Sequence, residues 1–176
     1  MERAFAAAGK PVDAVLDFLS PHRASANPWA RFLGPPRLLA DATANATRML
    51  RRQKRQSGQG KPRLVVMSAL GVGESRAATP FITRFLIDYS NVGKTYEDHA
   101  AMDAEIEENC GDEVRWTIAL AVGLSGAGVT PVKTFGHTEW GASWLITRES
   151  CARWMVDVAT GKMDDEFSNK RVIVSN

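Results

Sequence analysis

The run Leu64-Val-Val-Met67 constrains this chain more than any other stretch. It is short, apolar and Val-rich. Gly60, Lys61 and Pro62 precede it, and Ser68 and a loop carrying Gly71 and Gly73 follow. An apolar run of that length between turn residues suits a strand buried on both faces, as parallel strands inside α/β sheets are. A hydroxyl at the carboxyl end of such a strand sits where open α/β sheets bind their ligands. Arg63–Ala69 therefore predicts a fold and a place on it, without naming a reaction.

The rest of the chain alternates in the same sense. Val12–Phe18 reads as a first strand, although Asp13 and Asp17 are untidy for one buried on both faces. Ser20–Pro36 contains four prolines and Gly34 and reads as loop. Pro35–Arg55 reads as a helix, with Leu38, Leu39, Ala42, Ala46, Met49 and Leu50 on one face. Arg51, Arg52, Lys54 and Arg55 fall in its last turn, where the helix dipole favours cations. A nucleic-acid patch is the weaker reading, because no aromatic side chains are interleaved for stacking.

Thr79–Asp88 reads as a short helix with Pro80 in its first turn. Thr95 is placed to cap the next helix, which runs to Asn109, with Asp98 in the capping-box position. Ala101 or Met102, then Glu105 and Ile106, make its thin apolar stripe, and Glu105, Glu107 and Glu108 read as a solvated face. Val114–Leu120 is a third strand. Ala121–Ile146 is a long Gly-rich segment, of a length that usually signals function, with short strands near Val132–Phe135 and Ser143–Ile146. Thr147 caps a last helix, Arg148–Thr160, whose apolar face is Ala152, Met155, Val156 and Ala159. Arg171–Val174 is the closing strand. This alternation predicts an α/β fold, a parallel sheet with right-handed crossovers. At 176 residues the chain fits one domain, 1–176, with a real core.

Composition removes several classes. A formal charge of +2 is too small to argue for nucleic acid. No apolar run approaches the roughly 20 residues of a membrane span. Cys110 and Cys151 imply no disulfide framework, and a reduced, cytoplasmic setting is the default. Two cysteines 41 positions apart, with no clustered histidine, make no zinc site.

Candidate chemistry is sparse. Gly71 and Gly73 follow a strand as a dinucleotide fingerprint does, but the G-x-G-x-x-G pattern ends on Arg76, so a flexible strand-end loop is the plainer reading. Asp98 and His99 fit an acid/base pair, or a helix-start turn with Asp98 as cap. Trp140 and Trp144 line a pocket for a planar substrate, or pack beneath a loop.

In order along the chain, Val12–Ser20, Lys61–Ser75, Tyr96-Glu-Asp-His99, Val114–Ile118 and Thr147–Ala152 resemble landmarks of the atypical short-chain dehydrogenase/reductase superfamily, in its NAD(P)H-binding, NmrA-like branch. The resemblance covers nearly the whole chain. It implies a partial doubly wound, Rossmann-like parallel sheet. The N-terminal strands of that fold, with the glycine-rich phosphate loop, have no counterpart here. It follows that the chain is a truncated product or a shortened protein, with Glu2–Ala8 a remnant leading into the first strand. Uncovered apolar surface then favours a homodimer.

By the same resemblance, Ser68 matches the active-site serine that polarises a substrate carbonyl; a serine bonded to its own backbone is the alternative. The superfamily's usual Tyr with Lys four residues on is missing, since Ala100 follows Tyr96 and Gly93 follows Tyr89. Tyr96, assisted by His99, is then the proton donor, or else an ordinary helix-start tyrosine. Carried over by position, Leu19, Ser20, Met67, Ser68, Ala69, Ala121 and Val122 touch the cofactor, NADP or NAD. Relatives commonly place Arg-Pro after the Trp-Thr-Ile strand, where this chain has Ala119, Leu120 and Ala121. The implied function is an NAD(P)H-dependent oxidoreductase acting on a small carbonyl or aromatic substrate. The alternatives are a non-catalytic dinucleotide-sensing or protein-binding module and an inactive remnant.

Overall fold

A computed structural model of the chain describes residues 3, 5, 9–58 and 60–176. Of the segment Glu2–Ala8, only Arg3 and Phe5 fall within the described residues.

Strands β1 (Ala14–Asp17), β2 (Arg63–Ala69) and β3 (Arg115–Ala121) pair in parallel. Lys170–Ser175 continues the sheet in parallel beyond β3, and Lys133–Gly136 closes it antiparallel at the far edge. In chain order these two are β7 and β5. Between them lie β4 (Gly123–Leu124) and β6 (Leu145–Ile146), which form a separate parallel ribbon. The main sheet thus has the order β1-β2-β3-β7-β5. This is the expected α/β fold with a mostly parallel sheet. The short strands expected near Val132–Phe135 and Ser143–Ile146 are β5 and β6. The antiparallel direction of β5 and the pairing of β6 with β4 were not foreseen, because no local pattern encodes either.

The helices are α1 (Leu38–Ser57), α2 (Phe81–Tyr89), α3 (Val92–Asn109) and α4 (Arg148–Ala159). Side chains alternate across a strand, so partners at the ends of β2 and β3 fix the two faces. Arg63 binds Asp165, and Thr117 donates to the Phe167 carbonyl, both in the turn after α4. Residues in step with these face α4. Asp17 bonds Thr43 of α1, and Arg171 of β7 bonds Asp103 of α3. By register, Leu64, Val66, Ser68, Ile118 and Leu120 then face α1 and α3. One continuous core includes Leu64, Val65, Val66, Ile118, Leu120 and Ile173 from the strands. Leu39, Leu50, Met102 and Ile106 close it on one face, and Trp154, Met155 and Val158 on the other.

Four local readings change. Gly71 to Ala78 is not a loose loop: a 3-10 turn spans Gly73–Ala78, and the Ser75 hydroxyl accepts from the Gly71 N–H. α3 starts at Val92, so Thr95 lies inside it and caps nothing. The buried stripe of α4 is Ser150, Cys151, Trp154, Met155, Val158 and Ala159, rotated from the expected one, with Ala152 and Val156 exposed. The solvated glutamates of α3 are partly engaged, Glu105 by Arg37 and Glu107 by Arg171. Thr147 does cap α4, accepting from the Ser150 N–H at 3.1 Å.

Candidate functional site

A cavity of about 510 Å³ opens at the carboxyl ends of β2 and β3. Parallel order puts it there: two adjacent strands end in register, Ala69 beside Ala121, and the chain leaves in different directions. Ala69, Leu70, Ala121 and Val122 form the strand-end wall. Ala78, Pro80 and Thr83 contribute from the 3-10 turn and the start of α2, and Tyr96 from α3. Gly123 and the stretch from Trp140 to Trp144 complete the lining, which contains no charged residue.

The two tryptophans are 66% and 65% exposed, so they do not pack beneath a loop. The segment that carries them is held at its ends. His137 Nε2 lies 2.8 Å from Glu74 of the 3-10 turn, and the Ser143 N–H donates to Ser175 Oγ.

Tyr96 is the titratable group in this wall. Its hydroxyl donates to the Leu70 carbonyl at 3.1 Å, and burial raises its pKa above the ordinary tyrosine value, so it stays protonated near neutral pH. Gly71 makes room for it: a Cβ there would stand 3.1 Å from Tyr96 Cε1, at a φ of +110°. The His99 ring meets the Tyr96 ring edge-on at 6.4 Å.

Ser68 and His99 lie deeper. Ser68 is 3% exposed, on the α1/α3 face of β2, and is not among the residues lining the cavity. Its Oγ has no hydrogen-bond partner, which removes the reading of a serine bonded to its own backbone. His99 is buried with an unpartnered Nδ1, and burial pulls its pKa down to about 4, so it is neutral near pH 7. Buried polar atoms without partners are uncommon and call for an explanation. Two of the three among the described residues sit at positions singled out from the sequence.

Asp98 is not half of an acid/base pair, nor does it cap its own helix. Its carboxylate accepts from the Leu39 N–H at 2.9 Å and the Ala40 N–H at 3.1 Å, closing the N-terminus of α1. Asp17, the untidy strand residue, also has a structural place. It accepts from the Leu19 N–H and the Thr43 hydroxyl, and burial raises its pKa.

Of the positions expected to touch a cofactor, Ala69, Ala121 and Val122 line the cavity. Met67 lies one turn of the pleat below, facing α4 by the alternation of β2. Leu19 and Ser20 follow β1 at the same sheet edge, both exposed. The residues that sequence reasoning missed are Ala78, Pro80 and Thr83. No local pattern marks them, although the structure leaves the apolar α2 without a buried residue, with Phe81 80% exposed.

A nicotinamide dinucleotide has an uncharged ring at one end and a charged pyrophosphate in the middle. The uncharged cavity fits the ring end. The N-terminus of α1 does not serve the pyrophosphate, because the Asp98 carboxylate already occupies its free N–H groups. Among the described residues no group of His, Cys, Asp or Glu is arranged to hold a metal ion. None of their helices is long and apolar enough to cross a membrane.

Residues 2–162 match the family described as NAD(P)H-binding. No curated protein sequence matches the chain. Solved structures share its fold at low identity. One is a short-chain dehydrogenase/reductase from Veillonella parvula in complex with NADP, 13% identical over 78% of this chain, with a TM-score of 0.61. This chain spans 58% of that protein's length. A protein from Lactobacillus casei is 14% identical over 94% of this chain and 70% of its own, with a TM-score of 0.65. An anaerobilin reductase from Escherichia coli O157:H7 is 11% identical over 98% of this chain and 68% of its own, with a TM-score of 0.58.

Proposed function

This chain belongs to the NAD(P)H-binding family, and on that premise we propose that it is an oxidoreductase, or the substrate-side portion of one, that reduces an uncharged planar carbonyl or aromatic compound. The observation that carries this reading is the cavity at the ends of β2 and β3, lined by Tyr96, Trp140 and Trp144 and by no charged side chain. An uncharged wall leaves a carboxylate or phosphate group without a counterion, so it favours neutral ligands. Two exposed indoles suit a flat ring.

A nicotinamide dinucleotide, NADPH or NADH, supplies hydride when bound. Ala69, Ala121 and Val122 are the side chains that would stand beside its ring, with Leu19, Ser20 and Met67 further along the same sheet edge. Tyr96 holds the proton at Oη for the oxygen of the reduced substrate, and the Leu70 carbonyl orients that hydroxyl. Neutral His99 packs against Tyr96 and adds no charge to it. We assign Ser68 as the second donor to the substrate oxygen, since an occupied site would give its unpaired hydroxyl an acceptor. The free, buried Cys110 and Cys151 suit a cytoplasmic setting.

The test is cofactor oxidation with a neutral aromatic carbonyl and with its carboxylate-bearing analogue. Turnover of the neutral compound, lowered by about 10²-fold or more in Tyr96→Phe, supports the reading. Equal turnover of both compounds, or an unchanged Tyr96→Phe, defeats it.

One observation favours a second reading, a module that senses dinucleotide without turning it over. The pKa of Tyr96 is raised, not lowered, and Ala100 stands where a lysine would assist it. Such a module binds cofactor and shows no turnover with any substrate.

A further inference from the structure

Most polar side chains around the cavity are already committed. The Tyr96 hydroxyl donates to the Leu70 carbonyl, and Ser143 Oγ donates to the Leu145 carbonyl. Trp140 and Trp144 are mostly exposed. Thr83 of α2 differs from all of these. It is half-buried, it lines the cavity, and its hydroxyl makes no hydrogen bond with other described residues.

A helical threonine ordinarily closes its hydroxyl on the carbonyl three or four residues back. For Thr83 these carbonyls belong to Pro80 and Thr79, and Arg84 takes both. The Arg84 N–H donates to the Pro80 carbonyl at 3.1 Å, and Arg84 Nε donates to the Thr79 carbonyl at 2.8 Å. A second guanidinium nitrogen donates to the Ala77 carbonyl at 2.7 Å and fixes the side chain there. The Thr83 hydroxyl is thereby kept for the cavity. Pro80, Thr83 and Ile87 share one face of α2, at spacings of three and four residues. Ile87 Cδ1 and Tyr96 Cε1 lie 3.0 and 3.1 Å from the point where a Cβ of Gly71 would stand, so Ile87 adjoins Tyr96. Thr83 is one helical turn back from Ile87, about 5.4 Å along the axis. That offset is comparable to the breadth of one aromatic ring.

We propose that Thr83 determines specificity: its hydroxyl donates to a second acceptor oxygen of the substrate, on the ring edge opposite the carbonyl that meets Tyr96. The assignment rests on the reading of this cavity as the substrate site. It narrows the substrate to a flat, uncharged ring with acceptor oxygens on opposite edges. Ala69, Ala121 and Val122, assigned to the nicotinamide, belong to the strand-end wall, so Thr83 and the cofactor do not compete. A compound without the second oxygen leaves the Thr83 hydroxyl unpaired on binding, and its affinity is lower for that reason.

The experiment compares para-acetylbenzaldehyde with para-isopropylbenzaldehyde, which are close in shape and differ in the second acceptor. Dissociation constants come from quenching of tryptophan fluorescence without cofactor, so the readout needs no turnover. The wild-type chain should bind the acetyl compound about three- to tenfold more tightly, the range that one net hydrogen bond provides. Thr83→Val removes the hydroxyl and keeps the branched shape, and it should bring the two constants together. Thr83→Ser should restore the preference. Each variant is read as a ratio of two ligands, so a change in helix stability does not imitate the effect. A preference that survives in Thr83→Val assigns the second donor to an indole N–H and overturns the proposal. Equal binding of the two compounds by the wild type, or no binding of either, overturns it as well. A preference that depends on Thr83, with no reduction of either compound by NADPH or NADH, supports this assignment and defeats the oxidoreductase reading alone.

Discussion

Asp98→Ala removes the carboxylate that closes the N-terminus of α1, and the structure sets the size of the effect. Asp98 is buried and accepts two backbone hydrogen bonds, from Leu39 at 2.9 Å and Ala40 at 3.1 Å. Leu39 and Ala40 are themselves buried, so water does not readily replace the lost acceptor. A hydrogen bond to a charged group contributes about 1.5–3 kcal/mol, and a buried donor left unpaired costs about 1–3 kcal/mol. Two such bonds, reduced for local relaxation, give a loss of about 3–4 kcal/mol. For a chain of this size each kcal/mol moves Tm by about 2–4 °C, so the melt should fall by about 10 °C. Asp98→Asn keeps one acceptor and should lose about half as much. Urea unfolding followed by far-UV circular dichroism measures both. A loss under about 1 kcal/mol in Asp98→Ala would show that α1 does not depend on this cap. Unchanged stability with abolished turnover would return Asp98 to the acid/base role that the geometry denies it.

Ser68→Ala should leave stability unchanged or slightly raised, because the hydroxyl makes no hydrogen bond in the free protein, while turnover falls; a large stability loss would mean Oγ has a partner. For His99 the folded pKa of about 4 lies below the ordinary 6.5, so its contribution is full above pH 6.5 and is lost as pH falls toward 4. The gap corresponds to at most about 3 kcal/mol, and His99→Gln should flatten the urea midpoint between those pH values; an unchanged slope would refute the buried, neutral imidazole. Gly71→Ala forces a side chain into a φ of +110° and against Tyr96, Ile87 and Thr79, and should cost about 1–3 kcal/mol while lowering turnover; a neutral result would mean Tyr96 does not pack against this turn. Trp144→Ala, at an exposed position, should raise KM several-fold with a stability change under about 0.5 kcal/mol, read by steady-state kinetics and a melt.

Regular elements with strong periodicity were legible. Arg63–Ala69 is the strand its apolar run implies, and α1 lies within a few residues of its expected span because Leu39, Ala46 and Leu50 recur on the buried face. The misreadings have physical causes. Asp98 has the spacing of a local cap, but its partner is a helix 58 residues away in sequence, which no local pattern encodes. The stripe of α4 was rotated because Cys151 and Trp154 reach the core while Val156 does not, a choice made by tertiary packing. The antiparallel direction of β5 depends on how a Gly-rich segment returns across the sheet. Around the cavity, Tyr96 and the strand-end alanines Ala69 and Ala121 were readable from position, while Ser68 lies behind the wall and does not line it. The wall supplied by Ala78, Pro80 and Thr83 was not, because those residues gain a role only once the 3-10 turn folds beside β2.

The central claim is tested most directly by titrating the 176-residue chain with NADPH and with NADH, following nicotinamide fluorescence. Saturable binding of one equivalent per chain, retained when a neutral aromatic ligand occupies the Tyr96 cavity alongside it, is the predicted result. No binding of either dinucleotide at millimolar concentration would contradict both the enzyme and the sensor readings for this chain.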